Sequence, residues 1–234
     1  MMKPTRFSTA IMASTNTGYL TVIPDIKCRS PKEGDLLRGR DPIETAKTLV
    51  NCGAPVVSVV TEKKDFGGSL GLLRDIANTV NVPVLRKDFI TTADEIKRTV
   101  EHGASAVLLI CAYLNDKTLF ALYDTALNFG VEPLVEVHNE AEMNIAKRVG
   151  AHFIAINNRN IVDFERDNGG PELTISLSNS IPKDVVLISA SGINTPDEAA
   201  SLAKAGVHGI LVGTALWLAD DMYETYKSLC VESR

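Results

Sequence analysis

Cysteine is scarce in this chain, and its positions form no motif. The cysteines stand far apart without a C-x-x-C pair, at Cys28, Cys52, Cys111 and Cys230. The four histidines are equally scattered. The spacing matches neither a disulfide framework nor a zinc site. We therefore expect free, inert cysteines and no bound metal.

Long apolar runs and a basic excess are also missing. No segment approaches the ~20 apolar residues that a membrane-spanning helix needs. The first residues, MMKPTRFSTA, lack the apolar region of a signal peptide. The formal net charge of -5 argues against a broad nucleic-acid surface, which requires clustered Lys and Arg. We expect a cytoplasmic globular protein with neither membrane nor nucleic-acid partners.

The sequence instead contains a regular alternation of two patterns. Of its 234 residues, 45% are hydrophobic, enough for a large core in one domain. Short apolar, β-rich segments predict strands at 20–26, 56–60, 82–86, 106–110, 133–137, 153–157, 185–189 and 209–213. Amphipathic segments predict helices at 42–53, 69–80, 93–103, 116–130, 140–150, 171–180, 195–206 and 219–229. Thr92, Asp116, Asn139 and Thr195 near helix starts support these boundaries.

The pattern predicts an α/β fold of one particular kind. Uniformly apolar strands between helices are typical of a parallel sheet covered by helices. Eight βα units in succession are the number in a single (β/α)8 TIM barrel, whose active site lies at the C-terminal ends of the strands. A doubly wound open sheet is the alternative, but no G-x-G-x-x-G follows the first strand. We expect one barrel domain over residues 1–234.

Polar residues at the ends of the apolar runs are the candidates for this site. They are Asp25, Lys27, Ser58, Thr61, Lys87, Cys111, Glu136, Asn157, Arg159, Ser189, Ser191, Gly213 and Thr214. Lys87 closes VPVLRKDFI, and Glu136 interrupts the apolar run PLVEV. A charge in such a position is costly unless it is paired or functional. The structural alternatives are a solvated loop lysine at Lys87 and a simple ion pair between Asp25 and Lys27.

Two turns rich in small residues predict a class of ligand. SASGIN (189–194) and LVGTAL (211–216) lead from the last two predicted strands toward helix starts. Exposed backbone N–H groups and the positive end of a helix dipole bind anions at such places. A phosphate site after the last two strands recurs in barrels, so we expect a phosphorylated small molecule. The alternative is that the glycines only make tight turns.

Several segments resemble the indole-3-glycerol phosphate synthase family. They occur in the family's order from about Thr21 to Asp221: IPDIKCRSPKEG, VVSVVTEKKDFGGSL, VPVLRKDFI, AVLLI, PLVEVHNEAE, AINNRN, SASGI and LVGTAL. The resemblance implies a carboxy-lyase of tryptophan biosynthesis. Its substrate would be 1-(2-carboxyphenylamino)-1-deoxyribulose 5-phosphate, whose indole ring closes with loss of carbon dioxide and water. Neither a metal nor an organic cofactor is expected.

The resemblance also implies roles for individual residues. Lys87 matches the general acid, and Lys27 the lysine near the reacting centre. Glu136 matches the glutamate that handles the proton for dehydration, and Asn157 the asparagine that positions sugar hydroxyls. Asp25 stands where the family usually has glutamate. The residues that would bind the substrate's carboxylate and phosphate are Arg159, Ser191, Gly192, Gly213, Thr214 and, with less support, Ser30.

The chain departs from the family pattern in two further places. Ala190 precedes Ser191 where the family has glutamate, which together with Asp25 would leave a more positive mouth. The N-terminal extension, at about 1–19, looks shortened, and only Phe7 to Ala13 resembles part of the helix that covers the barrel mouth. Two alternatives follow: a divergent relative acting on another amino-sugar phosphate, or a catalytically silent barrel that binds a phosphorylated ligand or a partner protein. We expect a monomer or weak homo-oligomer.

Overall fold

The computed structural model describes residues 6–159 and 169–233. Its strands are β1 (Thr21–Ile26), β2 (Arg29–Ser30), β3 (Gly34–Asp35), β4 (Val57–Val60), β5 (Val84–Lys87), β6 (Ala106–Ile110), β7 (Glu132–Val137), β8 (Phe153–Asn157), β9 (Val186–Ala190) and β10 (Gly209–Val212). Its α-helices are α1 (Phe7–Thr15), α2 (Pro42–Asn51), α3 (Leu70–Thr79), α4 (Ala93–Glu101), α5 (Asp116–Phe129), α6 (Glu140–Arg148), α7 (Glu172–Ser178), α8 (Pro196–Lys204), α9 (Thr214–Leu218) and α10 (Met222–Leu229). None of these helices in the described part of the chain is long and apolar enough to cross a membrane.

In the described residues, eight parallel strands close into a barrel. The order is β1, β10, β9, β8, β7, β6, β5 and β4, and β4 pairs with β1 through Asp25 and Ser58. This confirms the predicted (β/α)8 barrel, and each predicted strand lies within two residues of an observed one. The antiparallel hairpin of β2 and β3 was not predicted, because strands of two residues carry no periodic pattern.

The two faces of the barrel sheet bury different apolar residues. Alternate residues of each strand point into the barrel, where Ile23, Leu108 and Leu134 share one buried cluster. The intervening residues, such as Val107 and Val135, belong to a second cluster with the surrounding helices. This alternation determines whether a polar residue near a strand end faces the barrel mouth or the helix layer.

Local capping fixes where several helices begin. Thr92 and Glu95 form a capping box at the start of α4, and Thr195 and Glu198 form one at α8. At α5 the capping side chain is Asn115, which accepts a hydrogen bond from the N–H of Thr118, so Asp116 is the first helical residue rather than the cap. These starts lie close to their predicted positions.

Helix α1 lies at the N-terminal end of the barrel. The Phe7 ring is fully buried and packs against Phe153, the first residue of β8, with ring centroids 5.9 Å apart. The backbone N–H and hydroxyl of Ser8 donate to the carboxylate of Glu132, the first residue of β7. The expectation that the segment from Phe7 covers the barrel mouth is therefore wrong. Its apolar side chains fill the interior at the opposite end.

Candidate active site

Three charged residues follow one another at the end of β5. The Arg86 guanidinium is buried against the helix layer, donating to Asp88 at 2.9 Å, to Thr61 Oγ1 at 3.0 Å and to the carbonyl of Glu95 at 2.8 Å. Because neighbouring side chains in a strand point to opposite faces, Lys87 is directed to the barrel mouth. Arg86 and Asp88 thus form a structural pair, and Lys87 is the member that lines the cleft at the barrel mouth.

Strand β1 places a carboxylate and a second lysine at the mouth. Asp25 and Lys27 are both nearly fully buried. Asp25 Oδ1 accepts a hydrogen bond of 2.6 Å from Ser58 on β4, and its backbone carbonyl accepts one from the indole N–H of Trp217. The Lys27 ammonium lies 5.5 Å from the centroid of the Phe66 ring, within cation–π range.

Glu136 and Asn157 meet across the neighbouring strands β7 and β8. Asn157 Nδ2 donates to Glu136 Oε1 at 3.2 Å, and both side chains are buried. Asn157 Oδ1 accepts from the backbone N–H of Arg159, so the amide orientation is set on both sides. Among the described residues, Glu136 Oε2 has no hydrogen-bond partner. A buried carboxylate oxygen in that condition is a strong candidate for contact with a substrate.

His138 is a further titratable group beside Glu136. Its Nδ1–H donates to Glu142 Oε2 at 3.0 Å, and its Nε2 lies 3.4 Å from Glu136 Oε1. Burial lowers the pKa of the imidazolium, but the two carboxylates outweigh burial and raise it to about 9. The ring is therefore a cation at neutral pH.

One cleft brings together Lys87 and the two small-residue turns. Its lining includes Asp25, Lys27, Lys87, Arg159, Ser191, Gly192, Gly213 and Thr214. Among the described residues, three cations and one carboxylate line it, so the cleft favours an anion. Close packing explains the glycine at position 213, since a Cβ on Gly213 would lie 3.2 Å from the Asp25 Cβ.

The turn after β9 adopts an unusual backbone conformation. Ser191 and Gly192 have φ values of 65° and 70°, two successive residues in the left-handed region. A Cβ on Gly192 would lie 2.8 Å from the carbonyl carbon of Gly169, so the position also requires the missing side chain. Asn158 stabilises this turn, because its Nδ2 donates to the carbonyls of Ala190 and Ser191 at 3.1 and 2.9 Å.

A second, more apolar hollow lies on the other side of Lys87. Its lining is Val60, Glu62, Phe66, Lys87, Asp88, Phe89, Leu108 and Ile110. The chain passes so close to β4 at Gly68 that an added Cβ would lie 2.1 Å from the Val60 carbonyl oxygen. Phe66, two residues earlier, forms part of the apolar wall. Lys87 therefore stands between an anion-binding cleft and an apolar hollow.

Some predicted candidates lie elsewhere. Thr61 contacts Arg86 and Asp88 in the helix layer, and Ser189 contacts Asn158 and Thr174. Cys111 belongs to the outer apolar cluster, and burial together with nearby carboxylates raises its pKa to about 12. Ser30, in the β2–β3 hairpin, accepts hydrogen bonds from the N–H groups of Lys32 and Glu33 and is not among the described residues that line the cleft.

The sequence-based prediction missed His138 and Asn158. His138 carries a detectable signal, since it shares the inward parity of Leu134 and Glu136 along β7. Asn158 carries none, because its partners Ser191 and Thr174 come from distant parts of the chain. In the described ranges, 6–159 and 169–233, no three His, Cys, Asp or Glu side chains are grouped closely enough to hold a metal ion.

Comparison with known proteins agrees with this geometry. A lysine beside an anion cleft at the C-terminal end of a (β/α)8 barrel defines an enzyme that acts on a small phosphorylated molecule. The family model for indole-3-glycerol phosphate synthase matches residues 2–229. The chain belongs to the indole-3-glycerol phosphate synthase family.

Relatives of that name come from both bacteria and archaea. The enzyme of Streptococcus gordonii is 42% identical over 213 residues, which cover 91% of this chain and 82% of that protein. The enzyme of Pyrococcus furiosus is 43% identical, covering 88% of this chain and 90% of that protein. The enzyme of Thermococcus kodakarensis is 43% identical, covering 89% and 91%. The predicted family and the predicted carboxy-lyase activity are thereby confirmed.

Proposed function

We propose that this chain closes the indole ring of 1-(2-carboxyphenylamino)-1-deoxyribulose 5-phosphate. The aromatic carbon that bears the carboxylate attacks the ketose carbonyl carbon, and a carbon–carbon bond forms. Loss of carbon dioxide and then of water yields indole-3-glycerol phosphate. The observation that supports this assignment most strongly is the position of Lys87, which lines both the anion cleft and the apolar hollow.

The cleft and the hollow match the two ends of this substrate. The phosphate would bind the turn at Ser191 and Gly192 together with Gly213 and Thr214, where backbone N–H groups and nearby cations favour an anion. The aromatic ring would lie against Phe89 and its apolar neighbours. The ketose carbonyl, between these ends, would then lie near Lys87.

The remaining charged and polar groups have roles consistent with their positions. Lys87 would protonate the ketose oxygen as the new bond forms, a general-acid role. Lys27 and Arg159 would neutralise the substrate carboxylate until it leaves. Glu136, oriented by Asn157, would take the proton whose loss accompanies dehydration. Asp25 would hold its place in the mouth through Ser58.

One assay tests the function directly. The purified protein is mixed with the carboxyphenylamino-deoxyribulose phosphate, indole fluorescence is followed, and the product is identified by mass. We expect a rise in indole fluorescence with stoichiometric release of carbon dioxide. Binding without turnover would favour a silent barrel, and a product of different mass would favour a divergent relative. The cytoplasmic location, the oligomeric state and the absence of a cofactor stay predictions.

A further inference from the structure

A buried carboxylate at the mouth needs compensation, and Glu136 has little from hydrogen bonds. Its side chain is 1% exposed. Among the described residues it receives one hydrogen bond, from Asn157 to Oε1, while Oε2 has none. A buried ionised carboxylate without a counter-charge is strongly destabilising. The cationic imidazole of His138, 3.4 Å from Oε1, is the group that supplies this charge.

The His138 ring is held in place from its other side. Glu142 Oε2 accepts from both the backbone N–H and the Nδ1–H of His138, at 2.9 and 3.0 Å. Glu142 Oε1 accepts from Asn139 Nδ2 at 2.9 Å. Because both oxygens of Glu142 are engaged, the carboxylate is immobilised and the ring with it. The Nδ1 contact also places Nε2 on the side of Glu136.

This arrangement is more than a helix cap. The N-terminus of α6 is already capped by Asn139, whose Oδ1 accepts from the Glu142 N–H at 2.9 Å. Capping of α6 therefore does not require His138, and another polar residue at this position would leave the Asn139 cap intact. The imidazole instead lies between two carboxylates. Among the described residues, the titratable groups that contact it are Glu136 from β7 and Glu142 from α6.

We propose that His138 is a positioning residue that places a counter-charge beside Oε1 and holds Glu136 in a single orientation, with Oε2 directed to the substrate proton. The Nε2 of His138 lies 3.4 Å from Oε1 in an ion-pair contact, and Asn157 donates a hydrogen bond to the same oxygen. The ion-pair contact and the hydrogen bond therefore both fall on Oε1, whereas Oε2 has no hydrogen-bond partner among the described residues. This inference rests on the proposed function, since it assigns Glu136 the proton transfer of the dehydration step.

The first test needs no substrate. The imidazole of His138 is titrated by nuclear magnetic resonance in the parent protein, in Glu136→Gln and in Glu142→Gln, with His138→Asn used to assign the signal. We expect the parent ring to keep its proton to about pH 9 and each variant to release it at lower pH. A titration that Glu136→Gln leaves unchanged overturns the pairing, whether or not the protein turns over the substrate.

The second test measures turnover in two histidine variants. Asparagine retains a donor near the Nδ1 position, whereas glutamine retains one near Nε2. We expect His138→Asn to lower kcat by ~10-fold or more with little change in KM, since it removes the group that orients a proton-transfer carboxylate. His138→Gln should recover part of kcat near neutral pH, but the acid limb of its pH profile should move to higher pH because the positive charge is gone.

His152→Asn is the matched control, since that ring is exposed at the opposite end of the barrel. It should leave kcat and the pH profile unchanged. If His138→Asn and His138→Gln keep the parent pH profile, or lose activity only in proportion to unfolded protein, His138 is structural and the inference fails. A parent protein without turnover would instead contradict the proposed function, and the substrate-free titration would still decide the pairing.

Discussion

Adjacent residues at the end of β5 show how one position decides a role. Arg86 and Lys87 are neighbouring cations, yet one is saturated with hydrogen bonds in the helix layer and the other lines the cleft. The cost of burying Arg86 is offset by the Asp88 carboxylate, the Thr61 hydroxyl and the backbone carbonyl of Glu95. Only Lys87 is therefore expected to affect turnover without a large effect on folding.

Replacing Lys87 by alanine tests the general-acid role. We expect Lys87→Ala to lower kcat by at least ~10²-fold, a typical contribution of a general acid. The melting temperature should change little, because the half-buried side chain ends in the cleft rather than in the core. Steady-state kinetics and thermal unfolding measure both effects.

Lys97→Ala is the control, since Lys97 is exposed on α4 and pairs with Glu101 across one helical turn. It should behave as the parent does. Near-full activity of Lys87→Ala would contradict the assignment, and a large loss of stability would indicate a buried structural ion pair instead.

A substitution at Gly213 tests the anion cleft. Gly213→Asp would add a second carboxylate beside Asp25. A Cβ added at Gly213 would lie 3.3 Å from Asp25 Oδ2. We expect KM for the phosphorylated substrate to rise at least ~100-fold, from lost charge-assisted hydrogen bonds and added repulsion. Gly213→Ala adds the steric contact without the charge and should raise KM much less. Equal KM values in the parent and Gly213→Asp would place the phosphate elsewhere.

At the scale of elements, α1 and the turns after β9 and β10 act at opposite ends of the barrel. Helix α1 is attached to the interior by Phe7 and to β7 by Ser8 and Glu132. The turns after β9 and β10 form the cleft. A barrel allows this separation because residues at the N-terminal ends of its strands contribute mainly to stability, whereas residues at the C-terminal ends form the active site.

Truncating the α1 anchor should separate stability from activity. Phe7→Ala leaves a cavity in the barrel interior and should lower the free energy of unfolding by ~3–5 kcal/mol. Phe7→Leu, a milder change, should cost less than ~1.5 kcal/mol. Urea unfolding measures both, and kcat per folded molecule should equal that of the parent.

Thr9→Ala, at an exposed position of the same helix, should have little effect on either quantity. If Phe7→Leu lowers kcat at temperatures where the protein is fully folded, α1 contributes to the site, and the separation between the two ends of the barrel is wrong.

At the scale of the whole molecule, two histidines at opposite ends should shape the pH dependence of stability. The two carboxylates raise the pKa of His138 to about 9, so its contribution is complete below pH 6.5 and is lost as pH rises through 9. Burial lowers the pKa of His208, whose Nδ1 accepts a hydrogen bond from the Leu187 N–H. Its contribution is complete above pH 6.5 and is lost as pH falls.

The free energy of unfolding should therefore be greatest near the ordinary histidine value of 6.5. Urea unfolding at intervals between about pH 5.5 and 9.5 measures the profile. His138→Gln should flatten the alkaline side, and His208→Gln the acid side, whereas the exposed His152→Gln should change neither. Persistence of the alkaline slope in His138→Gln would show that another group causes it.

The sequence by itself determined the barrel and most of the candidate cleft. The (β/α)8 fold follows from eight apolar segments separated by amphipathic ones, a signal contained in windows of a dozen residues. Lys87 and Gly213, which line the cleft, were located because each closes one of those segments, and parallel strands bring their C-terminal ends together. Local pattern and chain order were sufficient for these features.

Only the tertiary structure decided which partners the polar side chains at the strand ends contact and which end of the barrel α1 closes. Thr61 and Ser189 also close apolar segments, but they point to the helix layer, where Thr61 contacts Arg86 and Ser189 contacts Thr174. The apolar face of α1 fits either end in principle, and the position of Glu132 and Phe153 at the start of their strands selects one. The contact of His138 with Glu136 is set by the packing of α6 beside β7, which places Glu142 against the other side of the ring. These outcomes depend on contacts between residues far apart in the chain, and no local window of sequence contains them.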